Sequence, residues 1–449
     1  MNLNSFLTSY NRFVRNVKWL LICTPVPLFA QSVPKTELPT DANLESLIQY
    51  ALDNQAGIQQ SKIDEKITDT QIRSRLSAWY PQVNFNYNLQ HNFIVQTSII
   101  GGNPVKLGVD NTSGALFSLS QNIFNRDVLL AQRTKQDVRL LANQATTDTK
   151  IDVIANVTKA FYDVLATREQ MNVTSGDILR LERSLQDTRH QYDAGVTDKI
   201  DYKRATIALN NTKAALKTYE EILKAKVDYL KSLSGYPTSK PLEIQYDTLQ
   251  MEQAIWIDTL AGPDLSQRIE FQLLQTQKRL TEANLRYSKW SYLPSLSLGA
   301  AYNFNYLSNT ISDLYSINRP NSFVNLTFSL PIFQGGKRKA DIDQANWQLK
   351  RLDWDFDALN LGISAEYQAA LANYKGSLMQ YQALKENMDI AEEIYNVVNL
   401  QYRSGIKTYL EVVTSETDLR QARINYYNAL FQVLSSKVDV QRAMGQLNN

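Results

Sequence analysis

The sequence predicts a mixed α and β membrane protein, in which a long antiparallel α-helical coiled coil is joined to a transmembrane β-barrel, with internal duplication. Three observations predict it: two helical runs of nearly seventy residues, four short stretches that alternate apolar and polar residues, and a turn sequence that occurs twice.

A chain of 449 residues with only 16 Gly and 12 Pro has too few punctuating residues for several compact units, so few and long elements are expected. Residues 1–30 read as a secretory signal. Arg12, Arg15 and Lys18 precede the apolar run Trp19 to Ala30, which Pro25 and Pro27 interrupt, and Leu28-Phe29-Ala30 offers a cleavage site. The run is too short to span a bilayer. The only cysteine, Cys23, lies inside this segment, and Ile22 stands before it where a lipoprotein signal has a small residue. A mature chain without thiols suits an oxidising compartment and has no disulfide framework. Without Arg12, Arg15 and Lys18, the 47 basic residues fall just below the 45 acidic ones, so charge gives no hint of nucleic-acid binding.

The first alternating stretch is VNFNYNLQHNF at 83–93. It puts Val83, Phe85, Tyr87 and Leu89 on one face and Asn84, Asn86, Asn88 and Gln90 on the other. LFSLSQNIF at 116–124, SLSLGAAYNFNY at 295–306 and FVNLTFSLPIF at 323–333 mostly do the same, so the four strands come as two pairs. Each is long enough to cross a bilayer as a tilted strand, apolar toward lipid and polar toward a wet interior. Trp79, Tyr80, Phe124, Trp290, Tyr292 and Phe333 gather at the ends that join the helices, and Phe93, Tyr306 and Phe323 at the other ends, as interfacial girdles do. A soluble sandwich with aromatic corners is the competing reading. In lipid, two lone hairpins cannot satisfy their edges, so the barrel must be closed by strands from other chains.

Residues 126–194 contain no Pro and one Gly, and 337–404 no Pro and two Gly, so each run supports a helix roughly 100 Å long at 1.5 Å per residue. QYDAGVTDKIDYK at 191–203 and QYRSGIKTYLEVV at 401–413 follow these runs with identical Gln, Tyr and Gly, and the match extends to Gly235 and Gly445. A repeat inside the same helix-turn-helix frame indicates duplication. Gly195 and Gly405 are expected to end the helices in a left-handed conformation at a sharp reversal. In the returning helices Tyr202, Leu209, Leu216, Leu223 and Leu230, and then Val412, Leu419, Tyr426, Val433 and Val440, recur every seven residues. A sustained heptad implies a left-handed coiled coil. Ser415, Ala422, Ala429, Ser436 and Ala443 leave holes for knobs from a neighbouring helix.

The order of these parts resembles the TolC-type outer-membrane efflux protein family. The resemblance rests on LESLIQYALDNQAGIQQSKIDE at 44–65, the Tyr80-Pro81 and Leu293-Pro294 strand entries, FSLPIFQGGKRKA at 328–340, both Tyr-x-x-Gly turns and the closing AMGQLN at 443–448. It divides the chain into a first repeat over 31–234, an equatorial segment over 235–264 and a second repeat over 265–449. It implies a homotrimer whose chains share one transmembrane β-barrel and a periplasmic barrel of helices. It further implies a passive exit duct of a tripartite efflux or type I secretion system, coupled to a periplasmic adaptor protein and an inner-membrane transporter.

Carried over residue by residue, the resemblance makes Ala194, Gly195, Val196, Ser404, Gly405 and Ile406 the tips that meet the adaptor. It makes Asp201, Tyr402, Lys407 and Glu411 the periplasmic gate, with Tyr402 donating to Asp201 of an adjacent hairpin and Glu411 contributing to an acidic ring. Ile200 and Thr414 depart from the family's gate pattern. Read without the family, each Gly is simply a helix cap and each charge a solvated residue on a long helix.

No cofactor or metal is expected. The only two histidines, His91 and His190, give a metal site or a nucleophilic triad little to draw on. Gly101-Gly102 and Gln334-Gly335-Gly336-Lys337 lack phosphate-loop spacing and read as a loop tip and a strand-to-helix turn. The rival from another class is a periplasmic coiled-coil adaptor or scaffold without a pore, which leaves the four alternating strands unexplained.

Overall fold

The computed structural model describes residues 41–259 and 262–447. The expected signal over 1–30, with Cys23, lies outside the described residues. The first strand, β1 (Asp41–Ala42), leads through Asn43 into α1 (Leu44–Asn54), where the Asn43 side chain accepts from the Ser46 amide at 2.8 Å in a capping box. Helix α2 (Ala56–Ser77) then runs to the sheet.

Four strands form one antiparallel sheet: β2 (Gln82–His91), β5 (Asn111–Phe124), β7 (Ser295–Ser308) and β8 (Asn321–Ser329), in that order. Between β2 and β5 a ribbon of β3 (Thr97–Ile100) and β4 (Asn103–Lys106) turns at Gly101-Gly102, the expected loop tip. The expected two pairs are joined, because β5 pairs with β7 from Asn111↔Ser308 to Phe124↔Leu296, with a bulge between Asn122 and Phe124. Strand β5 begins five residues earlier than the alternation indicated. Its Thr112, Ser113 and Gly114 carry no pattern of their own but are held by a neighbour on each side. The last strand stops at Ser329, not 333; Pro331, which has no N–H to give a ladder, lies just beyond.

The register aligns the alternation across the sheet. Phe85 lies opposite Phe117, Phe117 opposite Tyr302, and Leu298 opposite Leu326, so most apolar residues of the four strands share one face, while Leu116 and Leu307 lie on the other. Ring centroids of Phe85 and Phe117 are 4.8 Å apart. On the opposite face Asn303, Asn305 and Asn321 join amide to amide at 2.6 and 2.9 Å. Phe323 departs from the expected girdle: it lies opposite Ala301, on the polar face. At the outer end Tyr315, from the loop between β7 and β8, reaches back to the Tyr87 hydroxyl at 2.6 Å.

Helix α3 (Arg126–Asp193) has 68 residues and α7 (Lys337–Arg403) has 67. Each is about 100 Å long at 1.5 Å per residue. Their returning partners are α4 (Lys199–Ser234) and α8 (Tyr409–Ala443), and α6 (Ile269–Lys289) leads into β7. Next to the sheet, α2 packs on α3, α3 on α6 and α6 on α7, which copies the order of the strands those helices continue. In the other half α4 packs on α3, α3 on α8 and α8 on α7.

The heptad reading holds in α8, where Val412, Leu419, Tyr426, Val433 and Val440 are all buried and Ser415, Ala429, Ser436 and Ala443 are buried beside them. In α4 only Leu209 and Leu230 of the five are buried.

The main core sits where these halves meet, around Val157, Phe161, Leu165, Tyr374, Leu430 and Val433. The equatorial segment wraps this core with β6 (Glu243–Ile244), paired to β1, and the short α5 (Thr248–Gln253). It is tied down by both halves of the chain: Arg168 Nη1 donates to the Ile244 carbonyl at 2.7 Å, Tyr374 Oη to the Ile255 carbonyl at 3.0 Å, and Lys385 Nζ pairs with Glu252 at 2.7 Å.

Candidate functional site

Both long hairpins reverse in the same way. After α3, Ala194 caps the helix, Gly195 takes φ +71°, its amide donates to the Tyr192 carbonyl at 2.9 Å, and the Val196 amide donates to Gln191 at 2.9 Å. After α7, Ser404 caps, Gly405 takes φ +76°, and the amides of Gly405 and Ile406 donate to Tyr402 and Gln401, again at 2.9 Å. A left-handed residue that satisfies the last carbonyls of a helix strongly favours Gly. The residue that follows points outward in each case, with Val196 74 % and Ile406 72 % exposed, and Ile200 and Leu410 one turn on are exposed too.

Of the four expected gate residues, Lys407 and Glu411 are joined. Lys407 Nζ lies 2.6 Å from Glu411 Oε1, while Glu411 Oε2 accepts from the Thr408 amide at 2.9 Å and the Thr408 hydroxyl at 3.0 Å. Glu411 is thus the closing half of the capping box that starts α8. The Lys407 bond and the Thr408 amide hold its carboxyl down at about 2.

Within the single chain Tyr402 and Asp201 are not bonded to each other. Tyr402 donates to Gln191 Oε1 at 3.0 Å, and Asp201, in the first turn of α4, faces Arg204 at 4.0 Å. The physical reason is position. Gln191 lies in the last turn of α3, within reach of the end of α7, whereas Asp201 lies in the first turn of the returning helix α4 beside Arg204.

That bond is the first rung of a ladder the sequence reading missed. One heptad further from the tip, Ser184 donates to the Tyr409 hydroxyl at 3.0 Å, and a further heptad on, Arg180 Nε approaches Glu416 Oε1 at 3.4 Å beside Asp177. Tyr409 is almost fully buried, which pushes its hydroxyl up to about 12. The spacing of residues 177, 184 and 191 against 402, 409 and 416 is present in the sequence, but the heptad leucines drew the register to the neighbouring face.

The sequence matches the outer membrane efflux protein family over residues 47–236 and 265–446. The probable efflux pump outer membrane protein TtgC of Pseudomonas putida is 23% identical over 412 residues, covering 90% of this chain and 83% of that protein. The outer membrane protein TolC of Escherichia coli is 22% identical over 354 residues, covering 75% of this chain and 70% of that one. Among solved structures, CusC superposes with a TM-score of 0.70 at 17% identity, covering 92% of this chain and 95% of its own. The open state of the Neisseria gonorrhoeae MtrE outer membrane channel gives a TM-score of 0.70 at 18% identity, covering 90% and 89%.

Proposed function

The chain belongs to the outer membrane efflux protein family, and from that premise we propose that it is the outer-membrane exit duct of an efflux system, with its sheet in the membrane and its helices in the periplasm. The observation that carries this reading is the sheet. Its four strands contain no charged residue, and most of their apolar residues form one exposed face with Val83 at 68 %, Phe85 at 57 % and Leu326 at 62 %. Such a face suits hydrocarbon, and the amide-lined face behind it suits water. Arg133 stacks over Trp290 at 5.0 Å and Arg338 over Tyr292 at 4.8 Å, so cations and aromatics share the level where the sheet meets the helices.

The assembly is a homotrimer sharing one transmembrane β-barrel and one periplasmic barrel of helices, each chain contributing four strands. The open edges at β2 and β8 require closure by another chain in lipid. The chain arose by internal duplication, with repeats over 31–234 and 265–449 around the equatorial segment 235–264. The matching turn geometry supports this, as do the two family matches on either side of that segment.

The tips around Gly195 and Gly405 are the docking points for a periplasmic adaptor protein, which links the duct to an inner-membrane transporter. The exposed pairs Val196/Ile200 and Ile406/Leu410 offer that partner an apolar contact. Gate opening involves Asp201, Tyr402, Lys407 and Glu411 together with the ladder behind them.

The experiment is fractionation, heat-modifiable gel mobility and planar-bilayer conductance of the full chain, with Gly405→Glu beside it. The wild type should run as an outer-membrane trimer that conducts; a soluble, non-conducting chain would favour the coiled-coil scaffold instead. A Cβ at Gly405 meets nothing within 4 Å, so the substitution costs only backbone strain. It should therefore leave the trimer intact while abolishing adaptor crosslinking and efflux. Survival of both would reduce the tips to structural caps.

A further inference from the structure

The sheet meets the helices at four places: the last turn of α2 (74–77), the first turn of α3 (126–129), the last turn of α6 (286–289) and the first turn of α7 (337–340). These turns carry Arg75, Arg126, Arg286, Lys289, Lys337, Arg338 and Lys339 against one acid, Asp127, which accepts from the Tyr287 hydroxyl at 2.5 Å. The residues that join them to the strands, 78–81, 125, 290–294 and 330–336, hold no charge. In the whole chain 47 bases face 45 acids, so the excess is local. At the other end of the sheet the connections 92–110 and 309–320 are balanced, with Lys106 and Arg319 against Asp110 and Asp313.

Among the described residues, Arg75, Arg286, Lys289 and Lys339 are exposed and make neither an ion pair nor a side-chain hydrogen bond. Bases without such partners do not hold the fold together. Lys337 pairs with Asp341 at 2.7 Å. The guanidinium groups of Arg126 and Arg338 lie over the rings of Tyr287 and Tyr292 at 4.6 and 4.8 Å, and that of Arg133, further along α3, lies over Trp290 at 5.0 Å. Stacking of this kind keeps a cation beside a ring. The apolar face of the sheet ends at the same level, with Phe124 opposite Leu296 and Leu296 opposite Phe328. The surface therefore passes from apolar through aromatic to cationic, which is the order of acyl chain, interface and phosphate in a phospholipid.

We propose that this basic band binds the anionic headgroups of phospholipids in the periplasmic leaflet of the outer membrane and prefers them to zwitterionic ones. It rests on the duct reading above and names the lipid that the base of the sheet selects. A headgroup whose phosphate has no compensating ammonium gains from every nearby base, and the attraction falls off within a Debye length, about 10 Å at about 0.1 M salt. The balanced loops at the other end offer no such attraction, so the preference belongs to one leaflet.

The test uses the full chain reconstituted in phosphatidylcholine vesicles with a trace of spin-labelled phosphatidylglycerol or phosphatidylcholine. Electron paramagnetic resonance reads how much of each lipid the protein restricts. The wild type should restrict phosphatidylglycerol severalfold more than phosphatidylcholine at about 0.1 M salt, and the preference should shrink at about 1 M, where the Debye length is about 3 Å. Combining Arg75→Gln, Arg286→Gln, Lys289→Gln and Lys339→Gln breaks no contact, so this variant should assemble as the wild type does and lose most of the preference. Lys106→Gln with Arg319→Gln, at the other end of the sheet, should keep it. Should the fourfold variant fail to assemble, the salt dependence of the wild type decides alone. Equal restriction of both lipids by an assembled, conducting wild type would overturn the band and leave the duct reading standing, as would a preference that survives the fourfold change. If the wild type shows no preference and the fourfold variant shifts the reversal potential toward cations, the bases line the water-filled interior instead. A chain that restricts neither lipid and does not conduct would sink the duct reading and the band together.

Discussion

At the scale of single residues, Gly195 and Gly405 reverse the two long helices with φ of +71° and +76°, and their amides bond back to the carbonyls of Tyr192 and Tyr402. Gly195 and Gly405 declared themselves because a helix that reverses within a few residues needs a left-handed position, which is a local property of the chain. The partner of Tyr402 depends on which helix crosses which, and nothing near residue 402 says so; within one chain that partner is Gln191. Glu411 was legible as an acid in the first turn but not as a cap neutralised by Lys407. That assignment has a pH signature. Its carboxyl pKa is depressed to about 2 in the folded chain, against about 4.3 when unperturbed. The interaction is therefore complete above about pH 4.3 and lost as pH falls through about 2. Amide exchange at Thr408, corrected for intrinsic rate, should accelerate over that window in the wild type and show no such step in Glu411→Gln. A Thr408 amide equally protected across the window would remove Glu411 from the cap.

At the scale of elements, the strands were legible wherever one face is apolar, since period-two alternation is written directly into Val83-Asn84-Phe85-Asn86-Tyr87. Their limits were not. Thr112 to Gly114 are strand because β2 and β7 flank them, and tertiary pairing of that kind leaves no periodic trace. The joining of β5 to β7 was equally hidden, since it links positions nearly two hundred residues apart. The face assignment makes its own prediction. Arg in place of Phe85 or Leu326 at the membrane midplane should cost roughly 2 to 4 kcal/mol of barrel stability, whereas Arg at Asn86 or Thr327, on the opposite face, should cost much less. Urea titration of the reconstituted protein reads the difference; equal costs on both faces would mean that the apolar face is not toward lipid.

At the scale of the whole molecule, the order of packing matters more than any one contact. Strand order β2, β5, β7, β8 is repeated by helix order α2, α3, α6, α7, so the helices next to the sheet form a wall that continues its order and has the same two free margins. Every residue of β2 and β8 is exposed, whereas β5 and β7 are largely half buried. The helical margins carry apolar residues outward as well: Ile63 and Ile67 on α2, and Trp347, Trp354 and Leu361 on α7. A sheet edge in hydrocarbon leaves backbone groups with no water to bond, so β2 of one chain must pair with β8 of the next if the wall crosses the membrane. Hydrogen exchange resolved by strand tests this closure. In the outer-membrane assembly, amides of β2 and β8 should be protected as long as those of β5 and β7, and dissociation in detergent should release β2 and β8 first. Margins that exchange freely in the assembled protein would mean that the wall stays open, and a transmembrane barrel shared between chains could not then be the way this sheet is accommodated.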